Sequence, residues 1–140
     1  MLEKRFNFSE IEQKCLKDWA ENKTYAFKDV KNKEPFCIMM PPPNVTGSLH
    51  IGHALTFTLQ DVLIRYKKKL NKNVLWQPGR DHAGIATEII VEKMILKKKK
   101  KNKNSLGREK FIEEIWNWEK KSGNQIINQM KRLGTSVDWN

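Results

Sequence analysis

Only two cysteines, Cys15 and Cys37, occur among the 140 residues, and they form no C-x-x-C pair. Two thiols make a poor disulfide framework for a chain of this size. A stapled secreted scaffold is therefore excluded, and both are expected as buried or half-buried free thiols in a reducing cytosol. No apolar run nears the roughly 18 residues needed to cross a bilayer. The first 30 residues, from Met1-Leu2-Glu3-Lys4 onward, carry charges throughout and hold no apolar signal core. The expectation is a cytoplasmic protein with no membrane partner. Acidic side chains are also scarce, 16 against 27 Lys and Arg, for a formal net charge of +11. Such a balance suits an anionic partner: nucleic acid, nucleotide or membrane surface.

A G-x-G-x-x-G sequence is missing too, which weighs against a dinucleotide oxidoreductase. Gly47 to Ala54 imitates P-loop glycine spacing and then departs from it. His53 stands where the P-loop lysine would be, and Ala54 where the magnesium-binding hydroxyl would be.

What is present begins with charge. The run Lys97 to Lys103 holds six lysines, and Lys67-Lys68-Lys69 forms a shorter one. Neither is interleaved with the aromatics of a single-strand stacking platform. A phosphate-contacting patch is one reading; a solvated surface segment is the simpler one.

Ser9 followed by Glu12 fits a capping box, and Ile11, Cys15 and Trp19 recur on one helical stripe. This predicts an N-terminal helix, then a connection to Glu34. Phe36 to Met40 between prolines reads as a strand buried on both faces. Pro41-Pro42-Pro43 then hold the chain extended. Asn44 to Ser48 is turn chemistry, with Ser48 as N-cap. A helix is predicted over about 49–69, burying Leu55, Leu59, Val62, Leu63 and Tyr66, and stopping at Asn71. Val74 to Trp76 reads as a second strand. Strand, helix and strand make a parallel βαβ unit. Further helices are predicted over about 86–96 and from Gly107 or Arg108. The last carries Phe111, Ile115 and Trp118 on one face, is open to interruption at Gly123, and is capped by Gly134. Two strands are too few for a finished doubly wound domain, so the expected architecture is an incomplete α/β fold.

The candidate chemistry gathers after the first strand. His50 and His53 are predicted in the first helical turn, on one face. There, unpaired backbone N–H groups and the helix dipole favour anions. Imidazole N–H donors in that position can stabilise charge building on a polyphosphate, with no nucleophilic side chain required. Polar capping is the structural alternative. Zinc would need further ligands, and only His82 remains as a third histidine, so no metal is assigned. Gly52 leaves room for a flat base against the backbone. Asp81, just past the second strand, could hold an ammonium group or cap the next helix; position alone leaves both open.

Pro41-Pro42-Pro43-Asn44-Val45-Thr46-Gly47-Ser48-Leu49-His50-Ile51-Gly52-His53-Ala54-Leu55 resembles the HIGH signature region of class I aminoacyl-tRNA synthetases. The block Trp76 to Thr87 agrees, and its His82-Ala83-Gly84-Ile85-Ala86-Thr87 is similar to the valyl branch of that family. Gly107-Arg108-Glu109 and Met130 to Trp139 resemble the same pattern. Glu88 and Arg80 depart from it, and no role is assigned to either.

The resemblance implies a Rossmann-like catalytic domain and an ATP-dependent ligase that activates valine and transfers it to tRNA(Val). It implies His50 and His53 as catalytic residues, with Asn44, Thr46, Gly47 and Gly52 alongside them at ATP and its Mg2+. Pro41, Pro42 and Asp81 are implied at valine: Asp81 with the Pro41 carbonyl on the ammonium, Pro42 in the side-chain wall. A monomer is implied for the full-length protein. The expected organisation is an N-terminal helix and arm over 1–34. The first half of the catalytic domain follows over 35–140, truncated before the editing insertion and the KMSKS signature. The isolated segment is expected to be inactive. The alternatives are an isoleucyl- or leucyl-type ligase, or a non-catalytic basic RNA-binding relict.

Overall fold

The computed structural model describes residues 6–100 and 102–139. The elements in chain order are α1 (Phe8–Glu21), β1 (Pro35–Met39), α2 (Ile51–Lys69), β2 (Asn73–Gln77), α3 (Gly84–Lys99), α4 (Lys103–Leu106) and α5 (Arg108–Arg132). β1 and β2 pair in parallel, from Pro35 opposite Asn73 to Met39 opposite Gln77, with α2 as the crossover. This is the βαβ unit read from the sequence, and the fold class is α/β. The chain divides into two compact units. The first comprises the described residues of Met1–Met40, Leu55–Pro78 and Met130–Asn140; the second comprises Pro41–Ala54 and Gly79–Gln129.

In the first unit, α1 starts earlier than Ser9. Asn7 is the N-cap: its side chain accepts from the Glu10 N–H at 3.4 Å and donates to the Glu10 carboxylate at 3.2 Å. Asn7 and Glu10 have the same spacing as Ser9 and Glu12. The upstream pair wins because asparagine caps equally well and a longer helix gains further backbone bonds. Met1 to Arg5, and with them the Met1-Leu2-Glu3-Lys4 start, lie outside the described residues.

The face of α2 turned to the strands is not the predicted one. Phe57 and Ile64 are buried, with Trp76 of β2, whose indole N–H donates to Gln60 at 3.1 Å. Lys67 lies over the Phe36 ring at 5.3 Å. Leu55, Leu59, Val62, Leu63 and Tyr66 are between 48% and 60% exposed. The helix carries two apolar stripes, and periodicity cannot say which of them meets the sheet. β1 is likewise covered on one side only. Phe36 and Ile38 are half-buried while Cys37 and Met39 are exposed, so Cys37 is not the sheltered thiol expected. Cys15 is half-buried as expected. Asn71, with φ of 59°, ends α2 as predicted.

A polar network completes this unit. Arg65 donates to Asp61 at 2.6 Å, to the Tyr25 hydroxyl at 2.9 Å and to the Gly134 carbonyl at 2.8 Å. Its guanidinium also lies over the Trp19 and Tyr25 rings. Asp61 in turn accepts from the Ser136 N–H at 2.7 Å and from its hydroxyl. Burial pulls the Arg65 pKa down, but its bonds to Asp61 and Tyr25 outweigh this and hold it above the ordinary value.

In the second unit, Val91 and Ile95 of α3 bury against Phe111 of α5, with Ile115 and Trp118 packed on the cluster. This is the predicted face of α5. The helix runs 25 residues without a break at Gly123. Gly123 is buried, and a Cβ there would come within 2.1 Å of the Arg80 guanidinium. The glycine makes room for a side chain; it does not stop the helix. Gly134, with φ of +72°, follows the helix as expected of a C-terminal glycine.

Candidate active site

Every candidate residue lies in the second unit, on the segment 41–54 or in the turn that begins at Gly79. The two segments are joined by backbone. The Asp81 N–H donates to the Pro43 carbonyl at 3.0 Å, and the Val45 N–H to the Asp81 carbonyl at 2.9 Å. Asn44 and Asp81 thereby form an isolated parallel bridge. Side chains alternate along such extended backbone. Pro43 and Val45 turn inward and are buried, while Asn44 and Asp81 are exposed opposite one another. Pro41, Pro42 and Gly47 are also exposed, and Thr46 is half-buried.

Asp81 Oδ1 accepts from the Ala83 N–H at 2.9 Å. Ala83 is the cap residue of α3, in the left-handed region and without a side-chain cap bond. The carboxylate therefore braces the turn before the helix and does not cap the helix's first free N–H groups. One carboxylate oxygen is committed to this turn.

The histidines lie one position differently from the prediction. α2 begins at Ile51, so His50 precedes the helix and His53 is in its first turn. His50 Nδ1 accepts from the Gly52 N–H at 3.1 Å, and His53 Nδ1 accepts from the His50 N–H at 3.3 Å. This is a reciprocal capping box built from two imidazoles. It displaces Ser48 from the N-cap role; the Ser48 hydroxyl accepts from Gln125 at 2.7 Å instead. An Nδ1 that accepts an N–H carries no proton, so each neutral ring keeps its proton on Nε2. The rings stand 4.0 Å apart. Burial, and then repulsion from His50, lowers the His53 pKa from its usual 6.5. Gly52 has a local reason as well: a Cβ there would sit 3.0 Å from the His50 ring.

The sequence reading missed the support behind these segments. Along α5, the Trp118 indole N–H donates to the Val45 carbonyl at 2.8 Å, and the Gln129 side chain accepts from the Leu49 N–H at 3.0 Å. Glu119 pairs with Arg80 at 2.9 Å. Trp118, Ser122, Gln125 and Gln129 are spaced 4, 3 and 4 residues apart. That polar seam at helical spacing was the available signal. Among the described residues no group of three or more His, Cys, Asp or Glu could hold a metal ion. A cleft of about 190 Å³ lies in the first unit, lined by Trp19, Tyr25, Lys131 and Trp139 among others. It contains none of the candidate residues.

The segment that carries the two histidines is thus joined by backbone to the turn that carries Asp81. The comparisons identify the family. The family model for tRNA synthetases class I (I, L, M and V) matches residues 14–140, and the chain belongs to that family. It is 50% identical over 141 residues to the valine–tRNA ligase of Bartonella quintana (strain Toulouse), covering 99% of this chain and 16% of that one. The valine–tRNA ligase of Buchnera aphidicola subsp. Baizongia pistaciae is also 50% identical, over 139 residues, covering 99% of this chain and 14% of the relative. The chain thus spans about one-sixth of the length of these relatives. Among solved structures, the fold is similar to LeuRS from Agrobacterium radiobacter K84, in a ternary complex with tRNA and LeuAMS. The TM-score is 0.77 at 18% identity, covering 96% of this chain and 15% of that one.

Proposed function

We propose that this chain is the part of a valine–tRNA ligase that carries the first signature of the catalytic domain. Residues 35–140 would be the first half of that domain and 1–34 its N-terminal helix and arm. In the proposed reaction, a valine carboxylate oxygen attacks the α-phosphorus of ATP. The bond from that phosphorus to the bridging oxygen breaks, and pyrophosphate leaves. Valine then passes from the adenylate to the terminal adenosine of tRNA(Val), releasing AMP. Mg2+ accompanies ATP as part of the substrate. The full-length protein would work in the cytoplasm as a monomer.

The single observation that carries the reading is the histidine pair. With each Nδ1 engaged by backbone, His50 and His53 offer Nε2–H donors from a helix N-terminus. Preorganised donors of this kind act on charge that develops in the transition state. Asn44, Thr46, Gly47 and Gly52 would line the nucleotide. Asp81 would take the valine ammonium through its second oxygen, with the Pro41 carbonyl beside it and Pro42 against the isopropyl group.

ATP–pyrophosphate exchange by the full-length protein tests this. Exchange should respond to valine above isoleucine, leucine and methionine; strict dependence on isoleucine would move the assignment to another branch. The 140 residues alone should show no useful exchange. The RNA-binding alternative would place its phosphate contacts on the lysine run. Lys97 and Lys98 lie in the last turn of α3 and Lys103 opens α4 as exposed residues, while Lys101 lies outside the described residues. Neutralising the run should leave the salt dependence of tRNA binding nearly unchanged.

A further inference from the structure

Glu119 is a buried carboxylate with no part in the proposed chemistry. Its side chain is only 9% exposed, and its Oε1 has no aligned hydrogen bond among the described residues. That oxygen faces two groups from the turn beneath it: Arg80 Nη2 at 2.9 Å and His82 Nε2 at 3.8 Å. These residues flank Asp81 on either side.

The backbone explains the arrangement. Asp81 sits on extended chain, bridged to Asn44, so its two neighbours share one face and its own side chain takes the other. Glu119 therefore holds the turn from behind at residues 80 and 82, while the Asp81 carboxylate is presented in front. Further contacts fix the grip. Gly123, one turn along α5, leaves the space that the Arg80 guanidinium fills. The His82 ring meets Trp116 edge-on at 5.9 Å, and the His82 carbonyl accepts from the buried Thr87 hydroxyl. A charge this buried is tolerated when it is paired, and removing one partner leaves the other stranded.

We propose that Glu119, acting through Arg80 and His82, is a positioning residue for Asp81, setting the carboxylate that receives the amino-acid ammonium. The proposal rests on the reading of Asp81 given above. It also gives Arg80 a role that the sequence left unassigned.

The test is ATP–pyrophosphate exchange by full-length Glu119→Gln, Arg80→Gln, the double variant and Asp81→Asn. Glutamine keeps the size of Glu119 and removes only its charge. KM for valine should rise roughly tenfold in each of the Glu119 and Arg80 single variants, because small misplacements of a binding group are costly. KM for ATP should stay within about twofold, and the double variant should be no worse than either single, as for residues acting as a unit. Unchanged valine KM in Glu119→Gln, with Asp81→Asn impaired, overturns the proposal alone. So does a parallel rise in both KM values with a lowered melting temperature, which marks a general structural role. Unchanged valine KM in Asp81→Asn overturns the reading of Asp81, and the proposal with it.

Discussion

His53 accepts the backbone N–H of His50 on its Nδ1 at 3.3 Å, while His50 accepts that of Gly52. Each ring thus caps the helix through its Nδ1, and the role proposed for it in catalysis falls to Nε2. Capping and catalysis are not competing readings of these histidines, because an imidazole has two distinct nitrogens.

Replacing His50 or His53 by alanine should lower kcat for valine-dependent exchange by about 10²- to 10³-fold, the range for losing one preorganised donor. KM for valine should stay within about threefold. Steady-state exchange with full-length variants checks both values, and unchanged kcat would remove the proposed role.

The His53 shift has a sign that can be measured. Its folded pKa lies below 6.5 because burial, and then His50, disfavours the cation. As pH falls below 6.5, the unfolded chain takes up a proton at this site before the folded chain does. The contribution of neutral His53 to stability is therefore full above 6.5 and lost as pH falls through the folded value. NMR titration of the ring should give a midpoint below 6.5. His50→Ala should move that midpoint upward by removing the second cause while leaving burial.

Gly52→Ala separates helix stability from site geometry. Alanine in a helix is favoured over glycine by about 0.5–1 kcal/mol. The added Cβ, however, would lie 3.0 Å from His50 Cε1 and 3.1 Å from its Nδ1, so the ring must shift by a few tenths of an ångström. The expected result is a melting temperature equal to or above wild type with exchange reduced at least about tenfold. Full activity would show that the ring position is not needed.

Trp118→Phe keeps the aromatic packing on the Val91 and Ile95 cluster but removes the donor to the Val45 carbonyl. Val45 is fully buried, so the carbonyl is left without that partner. A loss of about 1–2 kcal/mol is expected, read as a shift in urea midpoint of the full-length protein. A midpoint at the wild-type value would mean that water replaces the indole.

Arg65→Lys should also destabilise, by about 2 kcal/mol, although it preserves the charge. One ammonium cannot reproduce a planar fork that meets Asp61, Tyr25 and Gly134 while stacking on two rings. Thermal melting of Arg65→Lys beside Arg65→Ala measures this. A lysine variant as stable as wild type would show that charge alone suffices.

The sequence by itself determined the local elements and the family. The apolar run after Pro35, the helix ending in three lysines and the short strand before Gln77 gave a parallel βαβ unit. The proline block, His50, His53 and the Asp81 segment named the family. These features are legible because propensity, turn chemistry and motif spacing act over a few residues. Only the tertiary structure decided which of two apolar stripes on α2 meets the strands, that Cys37 faces outward, and that Gly123 lies inside an unbroken helix. It alone brought Glu119 to Arg80, Trp118 to Val45 and Asn44 to Asp81. Such pairings join residues tens of positions apart, and no local periodicity records which buried partner a polar side chain will find.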